Sequence, residues 1–391
     1  MAKKGKFALY VSAMAAIIFC SCAGAPERVS IDPARSPDEV LAQYTTPGRD
    51  TLPGVAVSVM KGGTPVYRAA AGVRRVGSPE RVTVDDPFHI GSDTKAMTAL
   101  LCGILVDRGL LSWDTTIGEV LGSGFSMREE YRGATLEQLL SHTAGFPSTI
   151  PVEPLLTFFP YNSPEGKDRA RLVREALSVE PVSVPGAEYL YSNLGYTVAG
   201  FMAERVSGSV WEALIEDELF VPFGMEHAGF GPPGNSRTEE AGSEGRISVP
   251  WGHMPEPVDP DFAYADNPAA FGPAAVVHAN LADLERYLSI YWNRGKAPDG
   301  RVVISESSLE YIYKPRLRNY GLGLITGTTA QGDRFVAHEV SNNRFYCTII
   351  VLQDRGDAVI VLANRGDGHA ERGVNEIAWY LAERFLGVTL W

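Results

Sequence analysis

Strand signals stand at the two ends of this chain and helical signals lie between them, and that segregation constrains the fold more than any other feature. Near the N-terminus, Val55-Ala56-Val57-Ser58-Val59-Met60 and Pro65-Val66-Tyr67-Arg68-Ala69 flank Lys61-Gly62-Gly63, the pattern of a hairpin with a glycine turn. Near the C-terminus, residues 320–326, 334–340, 345–352 and 358–363 read as strands, and an amphipathic helix over 371–386 follows them. The middle has a helical period. Met97, Leu100, Leu101, Ile104 and Leu105 fall on one face of a 3.6-residue repeat, and Gly109 ends the run. Similar patterns recur over 136–140, 172–177, 195–206, 211–219 and 281–292. Strands that bracket a block of helices predict an α+β fold, with an antiparallel sheet built from the N- and C-terminal segments, flanked by helices, and an inserted mainly helical domain. The sheet-bearing part is expected at about 38–90 and 300–391, and the helical part at about 91–299.

The first residues stand apart from this plan. Lys3, Lys4 and Lys6 precede an apolar stretch over 7–19, too short to span a hydrocarbon layer of about 30 Å as a helix but suited to a signal peptide. Phe19-Cys20-Ser21-Cys22-Ala23-Gly24 then resembles a bacterial lipoprotein cleavage box with Cys22 as the lipidated residue. The expectation is a signal peptide over 1–21, a tether over 22–37 and an exported protein, in the periplasm or cell envelope, held to a membrane by a lipid anchor. Loss of residues 1–21, which hold three lysines and no acid, takes the formal charge from −12 to −15. Such a surface repels phosphate backbones, which argues against nucleic acid as a partner. The cysteines left inside the fold, Cys102 and Cys347, sit in apolar runs and read as buried free thiols.

Ser92-Asp93-Thr94-Lys95 is the feature that carries chemistry. The serine stands just before the periodic helix, where backbone N–H groups favour an anionic oxygen. The lysine lies one turn further on the same face, within reach of the hydroxyl. A neutral or desolvated amine there could take the serine proton. The letters alone are weak, because Ser58-Val59-Met60-Lys61 satisfies the same spacing inside a strand and its turn. Tyr191-Ser192-Asn193 offers a phenol and a carboxamide two residues apart in a loop, able to relay a proton and to hold a substrate carbonyl. Tyr291-Trp292-Asn293 has that spacing too, but it ends an amphipathic helix, where packing is the better reading.

His89-Ile90-Gly91-Ser92-Asp93-Thr94-Lys95 and Leu139-Leu140-Ser141-His142-Thr143-Ala144-Gly145-Phe146-Pro147 resemble the β-lactamase-related serine hydrolases, which include class C β-lactamases and D,D-carboxypeptidases. So do Tyr191-Ser192-Asn193-Leu194-Gly195-Tyr196, Pro222-Phe223-Gly224-Met225 and Tyr320-Gly321-Leu322-Gly323-Leu324, in the family's order across roughly residues 50 to 385. The resemblance implies an acyl-enzyme on Ser92, with Lys95 and Tyr191 sharing the proton transfers and Asn193 orienting substrate. The Ser92 N–H would be the first oxyanion donor. His142 belongs to a family block but not to its catalytic set, and reads as structural. The family's third element, a Lys-x-Gly or His-x-Gly strand, corresponds to His338-Glu339-Val340-Ser341, which makes His338 a substrate-binding residue and the Ser341 N–H the second oxyanion donor. Here the chain departs from the pattern. Val340 shares a strand face with His338 and fills the gap that the family's glycine leaves to substrate, which argues against efficient β-lactam turnover.

The expected activity is cofactor-free and metal-free hydrolysis of an amide, ester or lactam carbonyl in a small-molecule or peptide substrate, cell-wall peptides included. The rival reading is a binding protein for such peptides on the same fold, motivated by Glu339 and Val340. An α/β-hydrolase elbow, a zinc-protease helix, a phosphate loop and a dinucleotide fingerprint are all absent from the sequence.

Overall fold

The computed structural model describes residues 31–48, 51–159, 167–234 and 247–389. The signal segment and Cys22 lie outside the described residues, as does most of the tether.

Six strands form one antiparallel sheet: β1 (Gly54–Lys61), β2 (Thr64–Gly72), β3 (Ile325–Thr328), β4 (Arg334–Ser341), β5 (Tyr346–Leu352) and β6 (Asp357–Ala363). Their order is β2-β1-β6-β5-β4-β3, so the N-terminal hairpin joins the C-terminal strands through β1 and β6, with Val55 opposite Ala363 and Met60 opposite Ala358. The α+β fold expected from the sequence is the one observed. The main helices are α1 (Pro37–Thr45), α2 (Thr94–Asp107), α3 (Lys167–Ser178), α4 (Asn193–Ser207), α5 (Leu281–Trp292) and α6 (Gly368–Leu381).

Strand alternation divides the core in two. Val55, Val57 and Val59 of β1 and Val359 and Val361 of β6 face one way, onto Val374 and Ile377 of α6 and Val40 and Leu41 of α1. Ala56, Met60, Ile349, Ile360 and Leu362 face the other way, into a larger cluster with Leu100, Leu101, Leu284 and Leu288 from the helical block. Because both faces of β1, β5 and β6 are covered, these strands read as continuous apolar runs, and each buried Val or Ile contributes about 1.5–3 kcal/mol. Ser58, the serine of the second Ser-x-x-Lys match, is buried in β1 and donates to Glu285 Oε1 of α5 at 2.6 Å, while Lys61 is exposed at the turn. That match is structural.

Two expectations are corrected by the packing. The periodicity predicts one buried face on α2, but every residue from Thr94 to Leu105 is buried, so this helix runs through the middle of the molecule. The segment beginning at Tyr320 is not strand until Ile325. Gly323, at φ +82, passes so close to α2 that a Cβ would stand 2.6 Å from the Lys95 carbonyl oxygen, and a strand residue with a side chain has no room there.

Candidate active site

Ser92 sits in a single turn of 3-10 helix, Gly91–Asp93, that leads into α2. Gly91 holds φ +53, and a Cβ on it would lie 3.2 Å from the Ser341 carbonyl carbon and 3.3 Å from the Asn342 nitrogen. The nucleophile turn is therefore pressed against the end of β4 at a place only glycine fits. The N-cap position of α2 is Asp93, and its side chain makes no capping bond.

Lys95, in the first turn of α2, has no exposed surface. Its Nζ lies 2.9 Å from Ser92 Oγ, 2.7 Å from Asn193 Oδ1 and 2.9 Å from the Ala274 carbonyl. It also stands over the rings of Tyr191, 4.7 Å from the centroid, and Tyr196, 5.5 Å away. The structure thus brings together Ser92, Lys95, Tyr191 and Asn193, although Tyr191 follows Ser92 by 99 positions in the chain. The loop is fixed on both sides of Tyr191, and on the near side the Leu190 N–H donates to the His142 carbonyl at 2.8 Å. Ser192 caps α4 by accepting from the Gly195 N–H at 3.3 Å, and its hydroxyl donates to the Pro147 carbonyl at 2.7 Å. His142 Nδ1 accepts the Ser192 N–H at 3.1 Å, and its ring lies 4.4 Å from that of Tyr191. Burial first, and then the charge of Lys95, hold the His142 pKa well below its usual value, so it is a neutral acceptor.

The other wall is β4. Asn342 N–H donates to the Phe345 carbonyl, which makes Ser341 and Tyr346 a non-hydrogen-bonded pair and turns the Ser341 N–H away from β5, outward from the sheet ladder. The Ser341 hydroxyl donates to the Gly366 carbonyl at 2.7 Å, so the residue's side chain is held by backbone. His338 departs from the expected place in the open cleft. Its Nε2 is buried, 3.5 Å from Asp93 Oδ1, underneath the nucleophile turn. Val340 shares that face of β4 and belongs to the apolar cluster that includes Ile90 and Cys347. Cys102 and Cys347 are both buried free thiols, as expected.

Three participants have no side-chain signature in the expected set. Ala274 contributes only its carbonyl, which no motif of side chains reveals. Asp93 was one of the variable letters of the motif, yet burial raises its pKa to about 7. Asp266, in an aperiodic loop, meets His89 Nε2 at 2.8 Å. Beside Asn193 a cavity of about 60 Å³ opens, walled by Leu155, Phe159, Tyr264 and Phe271 and bordered by Asn342 and Arg344.

The chain is 32% identical over 262 residues to Penicillin-binding protein 4 of Amycolatopsis lactamdurans, a match that covers 66% of this chain and 64% of that protein. It therefore spans less than two thirds of that relative's length. Among solved structures, it resembles the octameric penicillin-binding protein homologue from Pyrococcus abyssi, with a TM-score of 0.67 and 24% identity over 90% of this chain and 76% of that one. It also resembles the D-stereospecific amidohydrolase from a Streptomyces species, with a TM-score of 0.66 and 21% identity over 90% of this chain and 98% of that one. These two likenesses concern the fold. Residues 41–383 match the profile of the Beta-lactamase family, and with most of the chain inside that match, this protein belongs to the Beta-lactamase family.

Proposed function

We propose that this protein is a serine hydrolase that forms an acyl-enzyme on Ser92 from a compact amide, ester or lactam substrate. One observation carries the reading: the dry amine of Lys95 is shared among Ser92 Oγ, Asn193 Oδ1 and the Ala274 carbonyl. A neutral amine has two N–H bonds and one lone pair. When Lys95 is neutral, Asn193 Oδ1 and the Ala274 carbonyl, which can only accept, take its two N–H bonds and the lone pair faces the Ser92 hydroxyl proton; in its charged form, whose field lowers the His142 and His338 pKa values, it donates to all three. Ser92 Oγ then bonds to the substrate carbonyl carbon while its proton moves to Lys95. The tetrahedral oxygen meets the N–H groups of Ser92 and Ser341. The proton passes to the leaving group, with the Tyr191 phenol as relay, and water later cleaves the acyl-serine by the reverse route.

The cavity of about 60 Å³ beside Asn193, lined by apolar and polar side chains together, favours small acyl groups over bulky ones. The named activity of the amidohydrolase and penicillin-binding relatives supports an amide or lactam carbonyl as the target class. The reading includes an envelope location with a lipid on Cys22, supported by the leader-like segment before it. Peptide binding without turnover is the second reading, favoured by Val340 and by the buried position of His338. Mass spectrometry after exposure to a fluorophosphonate and to a penicillin separates them. Adduct on Ser92 with the fluorophosphonate is the expected result, and folded protein that takes up neither reagent would sink the hydrolase reading.

A further inference from the structure

The loop carrying Asp266 joins the two walls of the site through a single carboxylate. Its side chain is fully buried, with Oδ2 2.8 Å from His89 Nε2. His89 Nδ1 accepts the Gly91 N–H at 2.9 Å. A neutral ring that accepts at Nδ1 carries its proton at Nε2, so His89 donates to Asp266. The other oxygen, Oδ1, accepts from Asn342 Nδ2 at 3.1 Å and from the Asn267 N–H at 2.7 Å. Asn342 in turn accepts the N–H groups of Arg344 at 3.1 Å and Phe345 at 2.8 Å, closing the turn that follows β4. Gly91 directly precedes Ser92, and Asn342 directly follows Ser341.

We propose that Asp266 is a positioning residue that fixes the spacing between the Ser92 N–H and the Ser341 N–H, holding one through His89 and Gly91 and the other through Asn342. The proposal rests on the hydrolase reading, in which those two groups bind the developing oxyanion. Every partner of Asp266 named above donates to it, and that makes it irreplaceable by its own amide. In Asp266→Asn, the new NH₂ must face either His89 or the pair Asn342 and Asn267. Facing His89, it drives the imidazole to the other tautomer, whose Nδ1–H then opposes the Gly91 N–H. Facing Asn342, it opposes that donor instead. Either way one wall moves, and a displacement on the order of 1 Å in an active site can cost about 100-fold in rate.

The test is a double-mutant cycle on the full chain, with p-nitrophenyl acetate turnover and fluorophosphonate labelling as readouts. Asp266→Asn should lower kcat by about 10- to 100-fold and leave KM within about twofold. His89→Asn keeps an oxygen that accepts the Gly91 N–H, as in an Asx-turn, and should lose less, about 3- to 10-fold. In the His89→Asn background, the amide introduced by Asp266→Asn no longer forces a ring tautomer and can turn its oxygen to Asn342, so the second substitution should cost under about threefold. Asn342→Asp tests the other arm alone: it keeps the acceptor for Arg344 and Phe345, loses the donor to Asp266, and should lower kcat with KM unchanged. Full additivity in the cycle, a wild-type kcat in Asp266→Asn, or a wild-type kcat in Asn342→Asp overturns the proposal while leaving the hydrolase reading intact. A wild-type chain whose Ser92 takes no fluorophosphonate overturns both.

Discussion

Asp93 and His338 oppose each other in a way that hides their cost from a measurement on the wild-type protein. Both are buried, with Asp93 Oδ1 3.5 Å from His338 Nε2. Burial raises Asp93 from 3.8 to about 7. Burial, followed by the nearby charge of Lys95, lowers His338 from 6.5 to about 3. Stability that depends on the proton held by Asp93 is complete below about pH 4 and is lost as pH rises to about 7. Stability that depends on the neutral imidazole is complete above about pH 6.5 and is lost as pH falls to about 3. Between about pH 4 and 6.5 the folded pair therefore binds one titratable proton, and so does the unfolded pair, where it sits on the histidine. The two slopes cancel. Each unpaired proton is worth about 1.4 kcal/mol per pH unit. His338→Gln should expose the acid's slope, a fall of about 3 kcal/mol in unfolding free energy from pH 4 to 6.5 relative to wild type. Asp93→Asn should expose the opposite slope, a rise of about 5 kcal/mol from pH 3 to 6.5. Urea unfolding of the three proteins at half-unit pH steps measures both. Variants whose stabilities run parallel to the wild type across this window would refute the shared-proton account.

Three further outcomes are expected. Lys95→Met removes the amine placed to take the Ser92 proton and should slow fluorophosphonate labelling by about 10²–10⁴-fold. Unfolding assays on the same variant should show a loss of roughly 2–6 kcal/mol, from two buried acceptors left without a donor. Val340→Gly removes a side chain from the cluster with Ile90 and Cys347 and should cost roughly 2–4 kcal/mol in urea unfolding, and an unchanged unfolding midpoint would show that Val340 does not pack there. Cys22→Ser should abolish incorporation of radiolabelled palmitate in a bacterial host, with unchanged incorporation arguing against a lipid at that residue.

The sequence made the nucleophile legible through context more than through its letters. Ser92 and Ser58 satisfy the same spacing, but Ser58 alternates within a strand and bonds Glu285, while Ser92 precedes a helix. Ordered strand and helix periods were enough to predict the sheet, because burial on each face imposes its own repeat. What stayed hidden was what the chain does without a side-chain label. The Ala274 carbonyl reaches Lys95 only because its own segment is gripped elsewhere, by Thr98 Oγ1 on the Pro273 carbonyl at 2.7 Å and by Arg169 on the Ala269 and Ala270 carbonyls at 3.3 Å. Arg169 itself lies buried between Glu204 and Glu212, a placement that a charged residue on an amphipathic helix does not advertise. His338 was found by its position in a strand, but period alone could not tell an open cleft from the space beneath the Ser92 turn.

The pairing of β1 with β6 also sets the order in which this chain can become a protein. The β1–β2 hairpin is complete once residue 72 has emerged, yet the partner edge of β1 waits for residues 358 to 363. Until then β1 presents an unpaired, apolar edge, the kind of surface that seeks another chain. Loops closed over such a span make folding slow, and partly made chains prone to aggregation. Truncations that remove β6 should therefore yield insoluble material rather than a smaller folded domain, and a nascent chain needs something to cover β1 until its last strands arrive.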